Sequence, residues 1–122
     1  MAAKMFSRAF GSAAVGGDVA YLPCANGTTA VRIAPDGSAS VLWHTAVPAD
    51  GPPILGGGAL WVTDYGDQKL YALDPATGRE LSETPTDALP HFASPSLAAT
   101  PSGTRLFLGT STGIETFALT GR

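Results

Sequence analysis

Residues 55–75 read LGGGALWVTDYGDQKLYALDP, and residues 15–35 read VGGDVAYLPCANGTTAVRIAP, the same strand-turn-strand pattern forty residues earlier. Aligned without a gap, Val15-Gly16-Gly17 falls on Leu55-Gly56-Gly57, Tyr21 on Trp61 and Leu22 on Val62. Val31 then falls on Tyr71, Ile33 on Leu73 and Pro35 on Pro75. A looser third copy lies forty-six residues further on, with Leu106-Phe107-Leu108 on Leu60-Trp61-Val62 and Phe117-Ala118-Leu119 on Tyr71-Ala72-Leu73. A repeat of about 40 residues built from short strands is the sign of a β-propeller blade. The expected fold is therefore all-β and propeller-like, with about three four-stranded antiparallel blades. Three blades do not close a ring, so a partial ring, or one completed by oligomerisation or by further blades, is expected.

The repeats span about 11–48, 49–89 and 90–122, after an unrepeated tail over 1–10. Strands are predicted near 12–15, 19–22, 29–33 and 40–44, then 53–55, 59–63, 69–73 and 79–82, then 96–99, 105–109 and 114–119. Between them lie Gly16-Gly17, Asn26-Gly27, Pro35-Asp36-Gly37, Tyr65-Gly66-Asp67 and the segment 75–78. These are residue types that tolerate positive φ or pre-set φ in tight connections. In Leu60-Trp61-Val62-Thr63 and Leu70-Tyr71-Ala72-Leu73 apolar side chains fall on both faces, as suits a sheet covered on both sides. No window shows a clean helical period, so almost no helix is expected. The third repeat stops before a fourth strand.

Composition narrows the function classes. Hydrophobic residues are 44% and charged ones 14%, which places the chain outside compositional disorder. Net charge is −3, and the seven basic residues, Lys4, Arg8, Arg32, Lys69, Arg79, Arg105 and Arg122, form no stripe that would neutralise phosphates. Nucleic acid is therefore not an expected partner. Residues 1–10 carry Lys4 and Arg8 but no apolar core of the length a signal peptide needs. No stretch approaches the ~18 apolar residues of a membrane span. Cys24 is the single cysteine, so it forms no internal disulfide and belongs to no Cys-pair metal site.

The segment Leu70-Tyr71-Ala72-Leu73-Asp74-Pro75-Ala76-Thr77-Gly78-Arg79-Glu80 resembles the repeat of the quinoprotein-like (PQQ-like) β-propellers. That repeat runs as an apolar strand ending in Ala-x-Asp, two residues, Thr-Gly-Lys/Arg, and then an outer-strand Trp. The first repeat keeps the tryptophan as Trp43 but has Pro35-Asp36-Gly37-Ser38 at the turn. The second keeps the turn but has Ser82 where the family places Trp. The resemblance implies four-stranded blades around a central axis, with Asp74 accepting backbone N–H bonds in the turn, Gly78 at positive φ, and the outer-strand Trp covering the gap between blades.

Members of that family are of two kinds. Some are dehydrogenases holding pyrroloquinoline quinone and Ca²⁺ in an eight-bladed ring. Others are cofactor-free interaction scaffolds, such as the lipoprotein that assists outer-membrane protein assembly. The dehydrogenases' adjacent-cysteine pair has no counterpart here, since Cys24 is alone, and no Glu/Asn/Asp set stands out as a Ca²⁺ cage. The resemblance also implies an exported parent.

In a propeller, the hairpins between the second and third strands share one rim with the connections into each inner strand. This places Asn26, Asp64, Tyr65, Asp67 and His91 on one face as candidate ligand-binding residues. Asp64 and Asp67 suit a polar contact or a cation, or else stabilise their own hairpin loop as Asp often does. Asp-x-x-Asp alone is too sparse for a Ca²⁺ loop. His91 faces the axis or is a plain rim residue, and a general-base role would need a placed partner. His44, beside Trp43, reads as a surface residue. Ser94 and Ser96 lack a Gly-x-Ser-x-Gly elbow, and Gly56-Gly57-Gly58 precedes a strand and so forms no helix-borne phosphate loop.

A binding or scaffolding role is thus expected over catalysis, with no catalytic or metal residue assigned and no cofactor. Expected partners are a second copy or the remaining blades of a larger propeller. Leaving several hundred Å² of apolar blade face exposed, at roughly 25 cal/mol per Å², forgoes on the order of 10 kcal/mol, comparable to a whole domain's stability. Two copies would offer six blades. The alternatives are a fragment of a quinone-dependent dehydrogenase, with pyrroloquinoline quinone and Ca²⁺ as its cofactors, and a truncated gene product with no independent function.

Overall fold

The computed structural model describes residues 12–24, 26–45, 47, 49, 51–90 and 93–119. Among these, eleven strands and no helix are present. The first blade comprises β1 (Ala14–Gly16), β2 (Val19–Cys24), β3 (Gly27–Ile33) and β4 (Ala39–His44). The second comprises β5 (Ile54–Gly56), β6 (Ala59–Asp64), β7 (Lys69–Leu73) and β8 (Glu80–Pro85). The third contains β9 (Ser96–Thr100), β10 (Gly103–Thr110) and β11 (Gly113–Ala118). Each is an antiparallel meander in chain order, giving two four-stranded sheets and a three-stranded one. The first inner strand starts two residues later than predicted, and the second outer strand runs three residues further.

The middle blade is covered on both sides. Leu60, Val62, Tyr71 and Leu73 pack with Tyr21 and Ala30 of the first blade. Ala59, Trp61, Leu70 and Ala72 pack with Leu106 and Leu108 of the third. Successive side chains of a strand point to opposite faces, so one strand serves both interfaces only when it is apolar throughout. All six residues of β6 are buried, as that requires. The inner strands interlock in the same way at each step, Leu55 against Gly16 and Leu97 against Gly56, where a Cβ on either glycine would strike the leucine. The outward faces of the end blades show Val15 (69% exposed), Val41 (42%) and Ile114 (76%).

Pairing corrects the gap-free alignment of the first two repeats. Tyr21 pairs with Ala30, whereas Trp61 pairs with Ala72, so Ala30 corresponds to Ala72 and Val31 to Leu73, forty-two residues apart. The first hairpin closes at Cys24↔Gly27 and the second at Asp64↔Lys69, a loop two residues longer. The bulge on the outer side confirms the match, falling between Ala30 and Val31 in one blade and between Ala72 and Leu73 in the other. Trp43 pairs with Ala30 and Ser82 with Ala72, so serine stands in the tryptophan's place in the second blade.

The turn between β7 and β8 behaves as the motif implies. Asp74 Oδ1 accepts the Ala76 N–H at 2.9 Å, the Asp74 carbonyl accepts the Gly78 N–H at 2.7 Å, and Gly78 has φ of 76°. In the first blade Asp36 does the same work with Ser38, accepting from its N–H at 3.0 Å and its hydroxyl at 2.7 Å. Those two bonds hold the Asp36 carboxyl below its ordinary pKa. Trp43 crosses to the second blade, its Nε1–H donating to the Pro75 carbonyl at 3.0 Å and its ring tilted 40° to Tyr21 at 5.9 Å.

Candidate ligand-binding rim

The hairpin between β6 and β7 organises one end of the arc. Asp64, buried at 5% exposure, caps its own turn by accepting the Asp67 N–H at 3.3 Å. Gln68 has φ of 56°, the one non-glycine among the described residues in left-handed conformation. That conformation turns its side chain back across the loop, where Nε2 donates to the Tyr65 carbonyl at 2.6 Å. Its Oε1 accepts the Leu89 N–H at 2.6 Å, and its carbonyl accepts the Thr86 N–H at 3.0 Å. Gln68 thereby ties the hairpin to the connection between β8 and β9.

Thr63 ties the same hairpin to the connection entering β5 and again to that between β8 and β9. Its carbonyl accepts the Gly51 N–H at 3.0 Å, on the segment entering β5, and its hydroxyl donates to the Ala93 carbonyl at 2.8 Å, on the segment entering β9. Ser111, in the hairpin between β10 and β11, donates its N–H to the Ala88 carbonyl at 2.7 Å. Hairpins and inner-strand connections therefore share one rim, as the strand order implied. Tyr65 (44% exposed) and Asp67 project from it to solvent.

Asn26 is exposed on the corresponding hairpin of the first blade. There a polar chain crosses three strands. Cys24 Sγ lies 3.6 Å from Thr29 Oγ1, Thr29 Oγ1 lies 2.6 Å from His44 Nδ1, and His44 Nε2 lies 3.1 Å from the Asn26 carbonyl. A carbonyl only accepts, so His44 Nε2 carries a proton. In the neutral ring Nδ1 then accepts from Thr29, whose oxygen accepts the Cys24 thiol. His44 is exposed, as expected for a surface residue, yet it fastens the Asn26 turn to β3. Cys24 is buried at 1% exposure, which removes it from contact with solvent reagents.

Of the candidates named from sequence, Asp64, Tyr65 and Asp67 share one hairpin, Asn26 occupies the matching hairpin of the adjacent blade, and His91 lies outside the described residues. Sequence reading missed Gln68, Thr63 and the Thr29–His44 pair. Gln is not a residue that announces left-handed backbone, and the other contacts depend on cross-strand register. Among the described residues no three of His, Cys, Asp and Glu come together in a way that would hold a metal ion. No described helix is long and apolar enough to cross a membrane.

Successive antiparallel meanders, packed face to face with inner strands in sequence and hairpins at a common rim, define an open β-propeller arc. No known family model matches the chain, and no curated protein matches it in sequence. Among solved structures, BamB from Moraxella catarrhalis is similar, with a TM-score of 0.71 and 18% identity over 93% of this chain. The match covers 35% of BamB, so the chain spans about a third of that propeller's length. At this identity the likeness is one of fold.

Proposed function

We propose that the chain is a non-catalytic binding module of the PQQ-like β-propeller type, recognising a partner through rim loops that carry Asn26, Tyr65 and Asp67. The observation that carries this reading is the fastening of the rim. Thr63 and Gln68 bind the second hairpin to two neighbouring connections, the one entering β5 and the one between β8 and β9, so Tyr65 and Asp67 are presented on a stiff support. Exposed side chains on a rigid frame lose little entropy on binding, which is what a recognition surface needs. The Asp74–Gly78 turn and the docking of Trp43 support the PQQ-like assignment. The alternative in this reading is a fragment of a quinone-dependent dehydrogenase, with pyrroloquinoline quinone and Ca²⁺ as its cofactors.

The completing partner in this reading is a second copy. Inside the arc a leucine enters over a glycine at each inner-strand step. At the free ends the same two positions hold Val15, one methylene smaller than Leu, and Ala98, one methyl larger than Gly. A smaller knob meets a shallower hole, so the two ends match each other in volume.

Light scattering on the native protein tests the assembly. A discrete closed species supports it, and a monomer at every concentration overturns completion by self-association. Panning a peptide library tests the rim. Binders lost on Tyr65→Ala or Asp67→Ala, with the mass unchanged, support recognition there, and a panel with no rim-dependent binder overturns it. Quinone absorbance shifts with dye reduction, after adding the quinone and Ca²⁺, would favour the enzyme instead.

A further inference from the structure

The two internal blade interfaces differ at one position, and the difference leaves a hole. Between the first and second blades the indole of Trp43 fills the outer part of the interface and donates to the Pro75 carbonyl at 3.0 Å. Between the second and third blades the equivalent residue is Ser82, paired with Ala72 as Trp43 is paired with Ala30. There a cavity of ≈190 Å³ opens, lined by Trp61, Leu70, Ser82, Thr84, Phe117 and Leu119. Engineered apolar cavities of about 150 Å³ already accept benzene, so the space is on the scale of one or two fused aromatic rings.

We propose that this cavity is a binding site for an indole ring, presented as the tryptophan side chain of a partner polypeptide. The chemistry of the occupant is read from the chain's own other interface. Leu60 pairs with Leu73 and Leu106 with Phe117, so Phe117 corresponds to Leu73 and not to Tyr71 as the sequence alignment had it, and Leu119 is the counterpart of Pro75. The Leu119 carbonyl thus takes the place of the acceptor that Trp43 Nε1–H uses. The apolar walls from Trp61, Leu70 and Phe117 receive the ring faces, and the hydroxyls of Ser82 and Thr84 sit where the Trp43 side chain and Thr45 sit in the first blade. An incoming tryptophan would supply in trans what Trp43 supplies in cis. The site is separate from the rim and stands whether or not the rim binds anything.

The probes are N-acetyl-tryptophanamide, indole and 1-methylindole, titrated into the ¹⁵N-labelled full chain and followed by amide shifts. The expected result is saturable shifts centred on Ser82, Thr84, Phe117 and Leu119 with the first two probes, and weaker binding of 1-methylindole, which lacks the donor. Ser82→Trp, which refills the hole from within, is expected to weaken N-acetyl-tryptophanamide by about tenfold or more, while Ser82→Ala retains it. Absence of shifts at these four residues overturns the proposal, as does binding undiminished in a folded Ser82→Trp. Binding of indole without N-acetyl-tryptophanamide overturns the polypeptide source. Mapping on the unaltered chain decides the matter if Ser82→Trp fails to fold.

Discussion

The indole of Trp43 lies directly over the Cα of Gly78 in the turn of the next blade. A Cβ built on Gly78 would sit 2.8 Å from ring atoms Cδ2 and Cζ3, and φ there is 76°. Backbone conformation and inter-blade packing thus demand glycine at the same atom. Gly78→Ala is expected to cost about 2–4 kcal/mol, the sum of left-handed backbone strain and displacement of a packed ring. Gly37→Ala, at φ of 88° with open space around it, bears the backbone strain alone and should cost about 1–2 kcal/mol. Urea unfolding of the two variants checks the ordering, and equal losses would deny the Trp43 contact its role.

Alkaline pH should destabilise the arc. Burial raises the Tyr21 hydroxyl pKa above its ordinary 10.0, and the Asp74 carboxylate adds to the effect. Tyr71 is raised by burial and then by Glu83. Lys69 is raised by its hydrogen bond to Glu83 and by that carboxylate's charge. For each, the folded state holds its proton more tightly than the unfolded chain does. Their contributions are complete below the unfolded pKa near 10 and vanish as pH rises through the folded values. Tm should be insensitive to these groups from neutral pH to about 9 and fall above about 10. In a Tyr65→Phe variant, which removes the solvent-exposed tyrosine, tyrosinate absorbance should rise together with loss of sheet signal, and a rise that precedes that loss would sink this prediction.

Thr28 is fully buried, and its hydroxyl has no hydrogen-bond partner among the described residues. A buried hydroxyl left unmet opposes folding, whereas an isosteric methyl in a strand does not. Thr28→Val should therefore leave Tm unchanged or raise it. A loss of more than about 1 kcal/mol would mean that the hydroxyl is satisfied in solution.

Gln68→Ala removes the acceptor of the Leu89 N–H while keeping the left-handed backbone, and should cost about 1–3 kcal/mol. Gln68→Gly loses the same bond but relaxes the backbone, and should recover about 1 kcal/mol of that loss. Amide exchange at Leu89 should speed up in both variants. Protection of Leu89 unchanged in Gln68→Ala would remove Gln68 as the clasp of the rim.

Much of the architecture is local and was therefore readable in the chain. All eleven strands were expected near their observed places, because short apolar runs alternate with Gly, Pro, Asn and Asp at the turns. The match of Val31 to Tyr71 failed for a physical reason. Side chains repeat with period two along a strand, so a slip of two residues keeps every apolar residue on its proper face. Only the pairing of Trp61 with Ala72 shows that the second hairpin loop holds two extra residues. The candidate rim was legible as loops. The clasp made by Gln68 and the Thr29–His44 contact were not, since both join residues through cross-strand register and packing.

By itself the sequence determined the repeat, the strands and the turn chemistry of Asp74 and Gly78, because each depends on neighbours a few residues away. The exchange of Trp43 for Ser82 was legible as a departure from the repeat, but only the tertiary structure decided that the Trp43 indole reaches the Pro75 carbonyl and that a cavity opens beside Ser82. That difference depends on which side chain of one blade meets which backbone of the next. Such contacts between residues tens of positions apart are set by the packing of whole sheets and leave no local trace in the chain.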